Sequence, residues 1–165
     1  MYGGIWREIN TGSQLKKTEG LKLEDVIQIY TDGACSRNPG PGGWAYLMRW
    51  KGIEKKDSGC ERHTTNNRME LRAVIEALKA IKRPVKKIII YSDSQYVESG
   101  INKWLKSWKQ RNFINVKNSE MWFELSDLIN RKAENVEAVW VKGHSGHSEN
   151  ELVDRMAVKA ISRCR

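Results

Sequence analysis

Long apolar runs are missing from this 165-residue sequence, and nothing in it approaches the roughly 18 consecutive apolar residues that a membrane-spanning helix needs. The opening, MYGGIWREIN, has neither a basic n-region nor an apolar h-region, which argues against an export signal and leads us to expect a cytoplasmic protein. Cysteine is scarce as well. The three present, Cys35, Cys60 and Cys164, form no C-x-x-C pair and no even set. That excludes a disulfide-built miniprotein and a zinc site built on a cysteine pair; free thiols in a reducing compartment are expected, with a bridge between two of them left open. Internal repeats and low-complexity tracts are absent too, so a solenoid and a disordered tail are excluded.

What is there suits one compact domain with an excess of positive charge. Hydrophobic residues make up 39% of the chain, and 29 Lys and Arg against 20 Asp and Glu leave a net charge of +9. A sequence pI near 9.5 points to a polyanionic partner, nucleic acid first. No surplus apolar helix is visible, so a monomer is expected.

Residues 1–25, with Gly3, Gly4 and Gly12 and a mixed polar tract, show no sustained apolar period and read as a loosely ordered extension. Residues 26–165 read as the domain proper. VIQIYTDG from Val26 is a β-rich run, and GWAYLMRW, from Gly43 to Trp50, is a second; the turn at Lys51 and Gly52 returns a third strand toward Cys60 as a meander. The period then changes to 3.6: Leu71, Val74, Leu78 and Ile81 share a helical face, with Thr65 and Asn66 as candidate caps and Pro84 as a stop. KKIIIYS, from Lys86 to Ser92, is a short continuous apolar run of the kind buried on both faces of a sheet. Helical spacing resumes through Tyr96, Val97, Ile101, Trp104, Leu105 and Trp108, with a kink expected at Gly100. Helix Glu120 to Lys132, strand Val136 to Val141 and helix Glu149 to Ser162 complete an α/β order.

Four acids stand where this order brings elements together. Asp32 and Asp93 each follow an apolar strand, where ligands collect in open α/β sheets. Glu70 lies near the start of the central helix and Asp154 in the first turns of the last. Singly, each suits a cap, a turn or a solvated charge. Converging on one spot, they would repel one another unless hard cations such as magnesium or manganese neutralised them.

The immediate surroundings of these acids resemble type 1 ribonuclease H: YTDGACSRNPGPGGWA around Asp32, TTNNRMEL around Glu70, SDSQYV around Asp93, and VKGHSGHSENELVDRMA containing His144 and Asp154, with Trp104 and Trp108 between. The resemblance spans Val26 to about Ile161. It implies a ribonuclease H-like α/β fold: a mixed five-stranded sheet, antiparallel meander plus parallel strands, flanked by helices. It implies an endonuclease that cuts the RNA strand of RNA–DNA hybrids with two divalent cations, Mg2+ with Mn2+ as a substitute. Carried over, Asp32, Glu70, Asp93 and Asp154 are metal-binding acids, Asp32 shared by both ions. His144 matches a histidine that relays a proton or assists product departure. One cation would lower the pKa of the attacking water and the other stabilise the leaving 3′-oxygen, the products being a 5′-phosphate and a 3′-hydroxyl.

The resemblance also places Asn38, Asn66, Asn67 and Gln95 in the minor groove of the hybrid. Amides both donate and accept, which suits 2′-hydroxyls better than lysine does, although turn and cap chemistry also explains Asn38 and Asn66. Thr65 and Asn118 match residues that hold a DNA phosphate. The family often has arginine two places before that threonine, where this chain has His63, so a weaker or more pH-dependent phosphate site is expected. In INKWLKSWKQR, the spacing of Trp104 and Trp108 suits packing, and the resemblance suits a DNA-gripping handle of Lys103, Lys106, Lys109 and Arg111, shortened at Asn112 to Asn115. Two other function classes fit the composition: a non-catalytic nucleic-acid binding domain, and a related-fold integrase or transposase acting on DNA.

Overall fold

The structure is a computed structural model in which residues 25–165 are described; the expected extension over residues 1–25 lies outside them but for Asp25. Three strands come first: β1 (Val26–Cys35), β2 (Gly40–Trp50) and β3 (Ile53–Thr64). They are followed by α1 (Asn66–Lys79), β4 (Val85–Ser92), α2 (Gln95–Ser99), a π turn over Gly100–Trp104, and α3 (Leu105–Gln110). Then come α4 (Ser119–Lys132), β5 (Ala133–Trp140), α5 (Ser148–Ile161) and a 3-10 turn over Ser162–Cys164. The sheet has five strands in the order β3-β2-β1-β4-β5. β2 pairs antiparallel with both β1 and β3, whereas β1, β4 and β5 run parallel. The mixed five-stranded sheet expected from sequence is thus present.

Local chemistry accounts for the elements. Lys51 and Gly52 both take positive φ, 49° and 73°, as a two-residue hairpin requires, and they seat Trp50 opposite Ile53. α1 starts where the Thr65 side chain accepts a hydrogen bond from Arg68 N at 3.3 Å, the cap expected from sequence. The β-branched run of β4 is buried on both faces, as a central parallel strand must be.

One sheet face carries Ile27, Ile29, Tyr46, Met48, Ile88 and Ile90 against α1, α2, α3 and α4, with Trp122 and Leu125 fully buried among them. Each fully buried side chain of that size contributes roughly 1.5–3 kcal/mol. On the other face α5 packs Val153 and Ala157 onto Tyr30, Ala45 and Leu47. The closeness of α5 depends on Gly43, since a Cβ there would overlap the Ala157 carbonyl oxygen.

Three expectations change. The kink at Gly100 is a π turn, and glycine is needed there because a Cβ would run into the Trp122 ring. β5 begins at Ala133, directly after α4, instead of at Val136. The free-thiol expectation fails for two cysteines: Cys60 on β3 and Cys164 after α5 form a disulfide, Cα–Cα 5.9 Å, across 104 residues of sequence. α5 lies across β2 and β3 and carries the chain's last turn to the edge strand, a proximity invisible in spacing. Cys35 alone is free. No helix among the described residues is long and apolar enough to cross a membrane.

Candidate active site

Asp32 was expected just beyond its strand; it lies inside β1, opposite Ala45 of β2. The parallel pairing of β1 with β4 ends at Thr31 and Ser92, so the next residues along are Asp32, still inside β1, and Asp93, just past the end of β4. Their side chains meet at the carboxyl edge of the sheet, where the neighbours of β1 change from parallel to antiparallel. Glu70 arrives from α1, and Gly33 is what lets it approach: a Cβ on Gly33 would overlap the Glu70 amide nitrogen and Met69. Carboxylate oxygens of Asp32, Glu70 and Asp93 all lie within 4.8 Å of one another. Asp154, on the second turn of α5, is outside that tight trio but lines the same cavity of about 410 Å³, together with Asn66, Asn67, Cys35 and Ser94.

The electrostatics of the trio are unfavourable for an empty protein. Asp32 is 4% exposed and Glu70 8%. Burial, followed by the Asp93 charge, pushes the Asp32 carboxyl up to about 8. Burial and the charges of Asp32 and Asp93 hold Glu70 well above the usual carboxylate range. Asp93 is raised by burial and by Asp154, with His144 opposing. Few hydrogen bonds relieve this: Gly33 N donates to Asp32 Oδ1 at 2.9 Å, and Glu70 Oε2 is buried with no hydrogen-bond partner. An all-oxygen, acid-only donor set with an orphaned buried oxygen fits a hard divalent cation and gives zinc no soft ligand.

His144 is exposed on the loop between β5 and α5 with φ 53°. Its neighbour Gly143 lies so close to Asp93 that a Cβ would meet Oδ2, and the Trp140 ring N–H donates to the Asp93 carbonyl at 3.0 Å. The loop that carries His144 is therefore held at the rim of the acid cavity.

The other expected residues divide. Asn66 and Asn67 line the cavity. Asn38 does not; its Oδ1 accepts a hydrogen bond from Asn66 N at 3.2 Å and ties the β1–β2 loop to the start of α1. Gln95, the first residue of α2, is exposed outside the lining. Trp108 is half-buried with its ring 5.0 Å from Trp122, so packing explains it; Trp104 is 42% exposed and sits among exposed Lys103, Lys106, Lys109 and Arg111.

Thr65 and Asn118 are linked through a junction between helices that spacing did not reveal. Arg68 joins them: its N–H is capped by Thr65, and its Nη1 donates to Asn118 Oδ1 at 3.2 Å and pairs with Glu120 Oε1 at 2.5 Å. Gly33, Gly143 and Arg68 were missed in the sequence. The Asp-Gly pair read as a turn, whereas its glycine serves close packing, and Arg68 read as an ordinary helix residue.

The family model described as RNase H matches residues 24–162. The chain belongs to the ribonuclease H family. It is accordingly an endoribonuclease, of a family that depends on divalent metal. It is 52% identical over 146 residues to a ribonuclease H of Chromobacterium violaceum, covering 86% of this chain and 98% of that one. It is 48% identical over 148 residues to one of Pseudomonas entomophila, covering 87% and 98%. Among solved structures it is similar to LC9-RNase H1, a type 1 RNase H with the type 2 active-site motif, with TM-score 0.74 and 32% identity over 85% of this chain and 74% of that one. The fold is shared with LC11-RNase H1 in complex with RNA/DNA hybrid, at TM-score 0.65 and 23% identity over 83% and 97% of the two chains.

Proposed function

We propose that this chain hydrolyses the RNA strand of RNA–DNA hybrids endonucleolytically with two divalent cations, Mg2+ ordinarily and Mn2+ as a substitute, leaving 5′-phosphate and 3′-hydroxyl ends. In this reading residues 26–165 are the catalytic domain, residues 1–25 an extension, and the protein a cytoplasmic monomer. The observation that carries it is the trio of carboxylates, buried Asp32 and Glu70 with half-buried Asp93, with oxygens inside 4.8 Å and pKa values pushed up by burial and mutual repulsion.

Asp32 stands between Glu70 and Asp93 and is the residue to be shared by both ions; Asp154 closes the set from α5. When bound, the cations would supply a lowered pKa for the attacking water and a counter-charge for the leaving oxygen. The protein's part is to hold its acids close together and fixed, and the bound cations would keep them ionised. Asp32 inside β1, Glu70 on α1 brought close by Gly33, and Asp93 one residue past the end of β4 achieve that closeness. The imidazole of His144, beside Asp93 on an exposed loop, carries a proton toward or away from the scissile phosphate. Asn66 and Asn67 at the cavity, with Asn38 and Gln95 flanking, offer donors and acceptors to 2′-hydroxyls. Asn38 has one oxygen engaged with Asn66 N, so its NH2 is what remains for substrate. Trp104 and its lysine neighbours supply a basic, aromatic surface for the DNA strand. The hybrid bound by LC11-RNase H1, which shares this fold, supports the substrate class.

The test incubates the protein and Mg2+ with a labelled hybrid, duplex DNA and duplex RNA. Cutting confined to the RNA strand of the hybrid, with duplex DNA at least about a hundredfold slower, is expected: missing hydroxyls leave polar groups unpaired at roughly 1–3 kcal/mol each. Equal cutting of duplex DNA would favour an integrase-like activity, and binding without cutting a non-catalytic module. Single 2′-deoxy substitutions walked along the RNA strand should suppress or displace cutting only within a short window; uniform cutting would mean that duplex shape alone is read.

A further inference from the structure

We propose that Arg49 is a positioning residue for the reaction: its ion pair with Glu149 pins the start of α5 to the sheet and thereby holds the His144 loop beside Asp93. This rests on the hybrid-cutting reading, with His144 as its proton carrier, and names what keeps that imidazole in place. Arg49 stands on β2 opposite Gln28, four residues back along β1 from Asp32, or about 13 Å at the rise of a strand. At that distance its influence on the chemistry is indirect and passes through Glu149, the second residue of α5, whose Oε1 accepts from Arg49 Nη1 at 2.8 Å.

The His144 loop is held at its two ends and little between them. At the β5 end, Val141 N donates to the Ser92 carbonyl, the Trp140 ring N–H donates to the Asp93 carbonyl, and Gly143 lies against the Asp93 carboxylate. Past His144 support is sparse: the Ser145 hydroxyl donates to Lys142 of the same loop, and a Cβ on Gly146 would meet nothing within 4 Å. α5 then begins at His147 without a side-chain cap bond. Among the described residues, the Arg49–Glu149 bond is the first hydrogen bond after Val141 to tie this stretch back to the sheet. His144 thus lies between two anchors, Gly143 on Asp93 and Glu149 on Arg49.

The second anchor is firm. The Arg49 and Glu149 side chains are only 17% and 11% exposed, so removing one leaves the other charge poorly solvated. Arg49 is itself steadied by Glu54, at 3.1 Å from Nε, and by the Tyr30 ring, which stacks on Tyr91. Burial alone would raise the Glu149 carboxyl, but its hydrogen bonds with Arg49 and with its own backbone outweigh that and hold it below the usual carboxylate range. The positive end of α5 favours the same charge. Asp154 is placed differently: its neighbours Val153 and Ala157 pack on the sheet, Ala157 directly over Gly43, without help from Arg49. The pair therefore governs the histidine and leaves the metal-binding acids where they are.

Single-turnover and steady-state cleavage of a labelled hybrid in Mg2+ test the proposal, at a temperature well below the lowest Tm of the set, with circular dichroism to check that each variant is folded. Glu149→Gln and Arg49→Met should each lower kcat about fivefold, with KM within about twofold and the Mg2+ concentration for half-activity unchanged. Arg49→Lys keeps the charge and should recover kcat to within about twofold of wild type. Glu54→Gln, which removes only the more exposed partner of Arg49, should leave kcat as it is. The deciding measurement repeats Glu149→Gln in a His144→Ala background, where no imidazole remains to be misplaced: kcat should fall by no more than about a further 1.5-fold. An equal fivefold loss in both backgrounds would make the pair merely structural and overturn the proposal. So would an unchanged kcat in Glu149→Gln, a rise in KM alone, or a shifted Mg2+ requirement. Failure of the wild-type protein to cut the hybrid would overturn the functional reading, and the proposal with it.

Discussion

At one end of β1, Asp32 meets Glu70, Asp93 and Asp154 around a cavity of about 410 Å³. At the other end, Ile27 joins Met48, Trp50, Ile53, Ala80, Ile81 and Val85 around a larger one of about 470 Å³. Size and apolarity would select the second as a binding site. Its lining is nevertheless free of crowded acids: aliphatic side chains continue the main core, exposed Lys55, Lys82 and Arg83 stand at the wall, and the buried Trp50 ring N–H lacks a partner. The acid end is strained by its own charges, and that strain is relieved only by something positive. A few ångströms of misplaced like charge therefore say more about chemistry than volume does.

The sharpest way to break this contrast is Asp32→Asn. We expect turnover in Mg2+ to fall at least about a thousandfold, hybrid binding in EDTA to stay within about threefold, and the metal-free Tm to rise by about 2–4 °C as repulsion is relieved. Near-normal turnover, or a large loss of metal-free stability, would make Asp32 structural. His144→Ala comes next, slowing turnover by about one to three orders of magnitude with the metal dependence of activity unchanged. A shift in the Mg2+ concentration for half-activity would make it a ligand instead.

The apolar end should behave in the opposite way. Ile27 is 3% exposed, and Ile27→Ala should cost about 2–5 kcal/mol by urea unfolding while kcat/KM at 25 °C stays within about twofold. A loss of activity without a loss of stability would mean that this cavity serves the reaction.

The pH dependence sharpens the comparison from the acid side. The Asp32 carboxyl, raised from 3.8 to about 8, holds its proton in the folded protein where the unfolded chain has lost it. Between about pH 4 and 8 the folded state thus binds more protons, and metal-free stability must fall as pH rises through that window. The fall should be on the order of 2 kcal/mol between pH 5 and 8 in EDTA, followed by urea unfolding, and Mg2+ should abolish or reverse it. Stability that rises with pH in EDTA would contradict the raised acids. The smallest effect belongs to Ile53→Ser at the exposed lip of the apolar cavity, where Ile53 is 66% exposed; stability should move within about 0.5 kcal/mol and cleavage not at all.

Much of the fold was legible in the sequence where the signal was local. The period of Leu71, Val74 and Leu78 and the Thr65 cap located α1; the β-branched run located β4; Lys51 and Gly52 located the hairpin. Asp32 and Asp93 were placed at neighbouring strand ends, although Asp32 proved to be inside its strand, because pairing with β2 continues after pairing with β4 has stopped. Asp154 joined the cavity without joining the tight trio. Asn38 and Gln95 fell outside the lining because one is engaged at the start of α1 and the other points from an exposed helix start.

Sequence by itself determined the kind of each element, the basic charge and the four acids with their flanking motifs, because helical and strand periods and cap chemistry depend on residues a few places apart. Tertiary structure alone decided which side chains touch. Gly33 lets Glu70 reach Asp32, Cys60 finds Cys164 across 104 residues, and Arg68, capped by Thr65, reaches Asn118 across 50. Those meetings depend on how closely helices settle on the sheet, and that closeness is set by the packing of the whole core, to which every layer contributes and which no local stretch of chain encodes.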